Sequence, residues 1–214
     1  MLSVQFFTFN PFQQNTYILY NQHGETIIID PGCYTADEKA TLVNYITANK
    51  LNVVQLINTH CHLDHIFGNK LVAETYSLEL FIHPNEEQLL AMAPQTGQMY
   101  GTPFENYNGP LHFLNQGDIV KIGNDELQVL LTPGHSPGSI CLYCEADKFI
   151  IGGDVLFRDS IGRSDLPGGD HNTLLSSIRK QLFTLPDEVK VYSGHGPATT
   201  IGYEKKNNPF LRDF

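Results

Sequence analysis

The chain has 214 residues, 41% of them hydrophobic, and a formal charge of −10, which suits one self-sufficient core in a single domain spanning 1–214. Its 13 lysines and arginines are scattered, with no run beyond Lys205-Lys206, so neither nucleic acid nor an anionic membrane is an expected partner. Residues 1–20 carry no Lys or Arg and no long apolar block, and no stretch approaches a membrane span. A cytoplasmic location with reduced thiols is the expectation, and the sequence leaves the oligomeric state open.

Strands are expected first: "SVQFFTF", "NTYILYNQ" and "ETIIID", with "NQHGE" as a hairpin turn. A helix follows over about 36–49, opened by the capping box Thr35-x-x-Glu38. "VVQLIN" reads as a buried strand, and Ile66, Leu71, Val72 and Tyr76 mark a helix after it. "LELFIHP" is a short strand and "NEEQLLAM" a short helix. Residues 93–112 read as a long loop, either functional or packed on the body through Met99, Tyr100, Phe104 and Tyr107. Strands then fit "DIVKI", "LQVLLT", "SICLYC" and "KFIIGG"; residues 156–171 read as a second loop. "HNTLLSSIRKQLFTL" is a helix capped by Asn172 or Thr173, "KVYSG" a last strand, and the tail from Gly196 short and polar. This alternation is α/β. Cys141-x-x-Cys144 lies in a strand, where i and i+3 face opposite sides, so it reads as two buried thiols and not as a redox or zinc pair.

Four apolar strands end on metal-capable residues: "VVQLINTH" on His60, "LQVLLTPGH" on His135, "KFIIGGD" on Asp154 and "KVYSGH" on His195. Open α/β sheets hold ligands at the carboxyl ends of their strands. In "THCHLDH", an extended backbone over 60–64 would point His60, His62 and Asp64 one way, with Cys61 and Leu63 the other way. Cys61 is then a bystander, and a helix is expected to begin at His65. His60, His62 and His135 would hold one ion with a position left open; Asp64, His65 and His195 would hold a second, with Asp154 bridging. A bracing zinc site would be closed by four ligands, mostly thiolates. The open set implies bound water with a pKa lowered towards about 7. Asp64 and Asp154, the charged ligands, are counted as catalytic.

Thr59–His65, Thr132-Pro-Gly-His-Ser-Pro-Gly138, Gly152-Gly-Asp154 and Ser193-Gly-His-Gly196 together resemble the metallo-β-lactamase superfamily over nearly the whole chain. The resemblance implies a four-layer αβ/βα sandwich of two mixed β-sheets flanked by helices. His65-Ile-Phe-Gly-Asn69, "GGDVLF" and "IGYEKKNNPFLRDF" are similar to short-form hydroxyacylglutathione hydrolases of the glyoxalase II type. That likeness implies hydrolysis of a thioester, S-D-lactoylglutathione or a related hydroxyacyl thiol ester, by a hydroxide bridging two divalent ions. Zinc is the first expectation, with iron and manganese as alternatives. The C-terminal helical arm of full-length glyoxalase II is nearly absent, and Gly162-Arg-Ser-Asp-Leu-Pro-Gly-Gly169 stands where that family offers Lys and Tyr to glutathione. Persulfide dioxygenases share the fold and a turn similar to Gly162–Asp165; by that resemblance one iron would sit on His60, His135 and Asp154. A lactonase or β-lactamase, and a non-catalytic metal-binding module, are weaker readings.

Arg163 and Arg158 are either loop-bracing ion pairs or anion contacts for substrate. Tyr100 and His171 are further substrate-contact candidates; His171 is alternatively a surface or capping residue. His83 reads as structural. Asp30 either makes an Asx turn before Pro31-Gly32 or, as the superfamily resemblance implies, hydrogen-bonds ligand histidines without touching the ion.

Overall fold

The computed structural model describes residues 1–212. The chain divides into two compact units. One comprises Met1–Leu114 with Lys121–Asp125, the other Asn115–Val120 and the chain from Glu126 onward.

The first unit is built on a six-stranded mixed sheet. Its strands are β1 (Ser3–Phe9), β2 (Gln14–Tyr20), β3 (Glu25–Ile29), β4 (Asn52–Ile57), β5 (Leu80–Ile82) and β6 (Leu111–Phe113), side by side in chain order. The β1–β2–β3 meander is antiparallel; from β3 to β6 every pairing is parallel. Parallel neighbours need crossovers. These are α1 (Ala36–Ala48) between β3 and β4, then α2 (Leu63–Ile66) and α3 (Asn69–Tyr76) between β4 and β5, and α4 (Glu87–Met99) before β6. The expected capping box is present at Thr35 and Glu38. The core gathers Ile18, Ile28, Leu42, Leu56, Ile66, Leu80 and Ile82, all at 2% exposure or less.

Two expectations fail here for one reason. The supposed loop 93–112 holds the second half of α4 and the strand β6. Pro94 sits inside α4. A proline there removes the amide that would bond the carbonyl four residues back. That carbonyl belongs to Leu90, and the Asn106 side-chain amide donates to it at 2.8 Å. A partner 12 residues downstream keeps the helix going where a local reading ends it.

The second unit holds most of another six-stranded mixed sheet. In chain order its strands are β7 (Ile119–Ile122), β8 (Asp125–Leu131), β9 (Ile140–Cys144), β10 (Phe149–Gly153), β13 (Lys190–Ser193) and β14 (Thr199–Thr200); in space the order is β14-β13-β10-β9-β8-β7. Between β10 and β13 lie a hairpin, β11 (Leu156–Phe157) with β12 (Ser160–Ile161), and the helix α5 (His171–Ser177), which continues into a π-helical turn over Ile178–Leu182. The cap of α5 is Asp170, which accepts from Thr173 N–H at 2.7 Å, and not Asn172 or Thr173. The tail is not idle: α6 (Ile201–Asn207) buries Ile201, and Leu211 beyond it is also buried in the unit's core with Leu174, Ile178 and Val191.

All four cysteines are buried, and none is in a disulfide. Burial pushes the Cys141 thiol up to about 12, and its sulfur faces Thr132 and the Gly152 carbonyl. Cys144 faces Asp147 instead, so the Cys-x-x-Cys spacing makes no pair. No helix among the described residues is long and apolar enough to cross a membrane.

Candidate metal centre

In the first unit, β4 delivers the chain to His60 and His62, and α2 presents Asp64 and His65. The helix begins at Leu63, with His62 extended at φ −68°, ψ 151°. The alternation expected over 60–64 therefore holds for His60, Cys61 and His62 and stops there. Asp64 is carried by a helical turn, not by a strand. Cys61 is 2% exposed in the apolar cluster, and its thiol is pushed well above its ordinary value by burial first and then by the nearby Glu86 and Asp30 carboxylates. It stays a protonated packing group.

Asp30 organises this half. It sits at the end of β3 in the left-handed region, φ 51°, 1% exposed. Its Oδ1 accepts from Thr59 N–H at 2.7 Å. Its Oδ2 accepts the Thr59 hydroxyl at 2.6 Å and lies 2.9 Å from His65 Nδ1. A carboxylate only accepts, so His65 Nδ1 carries the proton and Nε2 the lone pair. The Thr59 hydroxyl has spent its own proton on Asp30, so it accepts from His60 Nδ1, 3.1 Å away. His60 Nε2 is then also a lone-pair nitrogen. The Asp30 carboxylate thus reaches one histidine directly and a second through Thr59. Asn10, Gln14 and Thr16 support the loops behind, bonding the backbone carbonyls of Asp64 and Asp30.

In the second unit His135, Asp154 and His195 converge. His135 Nδ1 donates to the Arg163 carbonyl at 2.7 Å, which again leaves Nε2 the lone pair. Asp154 Oδ2 lies 3.6 Å from His135 Nε2 and 3.4 Å from His195 Nε2. Two glycines make this possible. Gly134, at φ +127°, has no room for a Cβ against the Leu174 backbone at the start of α5. Gly162 passes so close to the Asp154 carbonyl that any side chain would displace it.

These separations fit a cation. Two donors on one zinc, each at about 2.05 Å with tetrahedral angles, stand about 3.4 Å apart. The Asp154 oxygen keeps that spacing from two imidazole nitrogens, and in the first unit Asp64 Oδ2 keeps 3.7 Å from His65 Nε2. All three spacings are longer than a hydrogen bond. Imidazole nitrogens and carboxylate oxygens, with no thiolate among them, suit zinc, iron or manganese.

The model of the metallo-β-lactamase superfamily matches residues 9–195. The chain belongs to the metallo-β-lactamase superfamily. It is 35% identical over 212 residues to a hydroxyacylglutathione hydrolase, GloC, of Haemophilus influenzae, with 98% of each chain covered. Among solved structures, the BLEG-1 B3 metallo-β-lactamase aligns with a TM-score of 0.90 at 37% identity, covering 98% of this chain and all of that one. A di-iron-bound form of TTHA1623 aligns at 0.88 and 35% identity, covering 97% of this chain and all of that one. The metallo-β-lactamase fold, with mixed sheets flanked by helices, is therefore established, and so is the broad class of metal-dependent hydrolase.

The superfamily position does not by itself assign the remaining candidates. Arg163 forms a two-pronged pair with Asp165, 2.7 and 2.8 Å, which holds that carboxyl down at about 2. Arg158 lies over the Tyr203 ring, 5.2 Å from its centre, and 3.8 Å from Asp159. Both arginines brace their own loops while remaining exposed. His171 is the exposed first residue of α5, beside Ser164. Tyr100 is 58% and Met99 86% exposed, whereas Phe104 and Tyr107 pack on the core. His83 is buried with its pKa lowered by burial; the neutral ring accepts from Asn85 N–H. Sequence reasoning missed Thr59, the Arg163 carbonyl and Glu86. Only Thr59, adjacent to the motif, carried any signal.

Proposed function

We propose that this protein is a binuclear metal-dependent thioester hydrolase. In this reading His60, His62 and His135 would hold one divalent ion and Asp64, His65 and His195 a second, with Asp154 available to both. The observation that carries it is the fixing of three imidazoles: His60, His65 and His135 each commit Nδ1 to a protein acceptor and present Nε2 as a lone pair. That is the tautomer a metal needs, and a histidine serving only as packing has no need of it. When bound, the ions would lower the pKa of coordinated water to about 7 and polarise the acyl carbonyl.

The residues then divide the work. Asp64 and Asp154 would supply negative charge to hold the ions, and two divalent ions with these two carboxylates would leave the centre net positive, by simple charge counting. An anionic thioester is attracted to such a centre in spite of the overall charge of −10. In the same reading Arg158 and Arg163, exposed cations in and just beyond the hairpin that follows Asp154, would meet a carboxylate of the thiol, with Tyr100 and His171 as further candidate contacts. The hydroxyacylglutathione hydrolase name of the Haemophilus influenzae relative supports the substrate class, S-D-lactoylglutathione or a related hydroxyacyl thiol ester. Zinc is the expected metal, and the di-iron form of TTHA1623 keeps iron in view.

The test is metal analysis and turnover on one preparation. Two ions per chain and hydrolysis of S-D-lactoylglutathione are expected, with Asp154→Ala reducing kcat/KM by about a hundredfold or more. Oxygen uptake on glutathione persulfide with one iron per chain would replace this reading by the dioxygenase. Hydrolysis confined to β-lactams or lactones would move it to another hydrolase class.

A further inference from the structure

We infer that Glu86 is a positioning residue for the His60-Cys61-His62 segment. This inference rests on the metal-centre reading above. Glu86 is fully buried, on the 3-10 turn Pro84–Glu86 that follows β5. The local sequence builds that turn. Pro84 starts it, the His83 ring accepts from Asn85 N–H, and Glu86 N–H returns to the His83 carbonyl at 2.9 Å. The result turns a carboxylate towards the protein interior, where an ionised group is costly without strong hydrogen bonds or a nearby cation.

Its Oε2 accepts from the backbone N–H of Cys61 at 2.7 Å. That amide is the peptide link between His60 and Cys61. Residues 60–62 belong to no strand or helix, so no ladder fixes their peptide planes. Gripping the amide sets ψ of His60 and φ of Cys61, and with them the relation of the two rings, which stand edge to face with centroids 4.8 Å apart. Asp30 reaches the rings through their Nδ1 atoms; Glu86 reaches the segment through its backbone. The two act on different degrees of freedom.

The experiment is cobalt(II) binding to the full chain, wild type against Glu86→Leu and Glu86→Gln. It reads affinity by chelator competition, geometry by the visible absorption of cobalt, and metal-free melting. Leucine cannot accept from Cys61 N–H, whereas the glutamine side-chain oxygen can. Positioning predicts an affinity loss of about 10- to 100-fold and a changed cobalt spectrum in Glu86→Leu, with both largely restored in Glu86→Gln. Wild-type affinity and spectrum in Glu86→Leu would overturn the inference. So would a fall in metal-free Tm with the spectrum unchanged, because packing alone would explain it. If Glu86→Leu does not fold, Glu86→Gln decides: an affinity loss and changed spectrum there, with the acceptor kept, would overturn the inference. A wild-type chain that takes up no cobalt would instead overturn the metal-centre reading itself.

Discussion

Asp30 carries an unusual burden for one side chain. It adopts a left-handed backbone, which aspartate tolerates better than most residues, and its two oxygens serve Thr59 twice and His65 once. Replacing it by alanine removes the acceptor that orients His65 and, through Thr59, His60. Metal content of Asp30→Ala is expected to fall, with affinity down about 10- to 100-fold; elemental analysis showing full occupancy would contradict this. At this scale the sequence was informative where chemistry is carried by side chains. The proposed ligands His60, His135, Asp154 and His195 stood at or just beyond strand ends and could be picked out there as candidates. The Arg163 carbonyl could not be read, because every residue has a carbonyl and only the fold says which one meets His135. Glu86 was hidden for a related reason: the amide it holds lies 25 positions away.

At the scale of elements, local pattern recovered the longer strands and α1, missed the short strands β6, β11, β12 and β14 in segments read as loops or tail, and failed where a remote partner changes the local balance. Pro94 ends a helix by every local rule, yet α4 runs on to Met99 because Asn106 satisfies the Leu90 carbonyl. Asn106→Ala should therefore destabilise the fold by about 1–3 kcal/mol, the cost of an orphaned buried carbonyl, measurable by urea denaturation. Asn106→Asp, which cannot donate, should do no better. The tail from Gly196 was misread in the same way. Its composition is polar, but α6 is tied down by a buried carboxylate: Glu204 accepts from Asp159 N–H, from the Asn208 amide and from the Thr199 hydroxyl. Asn208 also donates to the Ser160 carbonyl, and Tyr203 to Asp159. These bonds hold the β11–β12 hairpin, which runs from Asp154 to the Arg163 carbonyl. The C-terminal helix thus steadies two parts of the second half-site without touching either.

At the scale of the molecule, the seven proposed ligands would come from segments spread over 136 positions, from His60 to His195. A cation shared among them links distant parts of the chain only when the chain is folded, so binding and folding are coupled. Removing metal by chelator should lower Tm, and adding zinc back should restore it in proportion to the logarithm of free zinc. A Tm indifferent to chelator would count against a resident metal. The superfamily fold was legible because its motifs sit in order along the chain, while the division into two units left no compositional mark. The hydrogen bonds at Nδ1 have one more consequence. Since three rings are held by protein acceptors and not by the ion, losing the ion does not set them free to rotate. For these three rings, uptake then requires no search among rotamers. Refilling should be a simple bimolecular event, and occupancy in a cell should follow the supply of free metal ion with little delay.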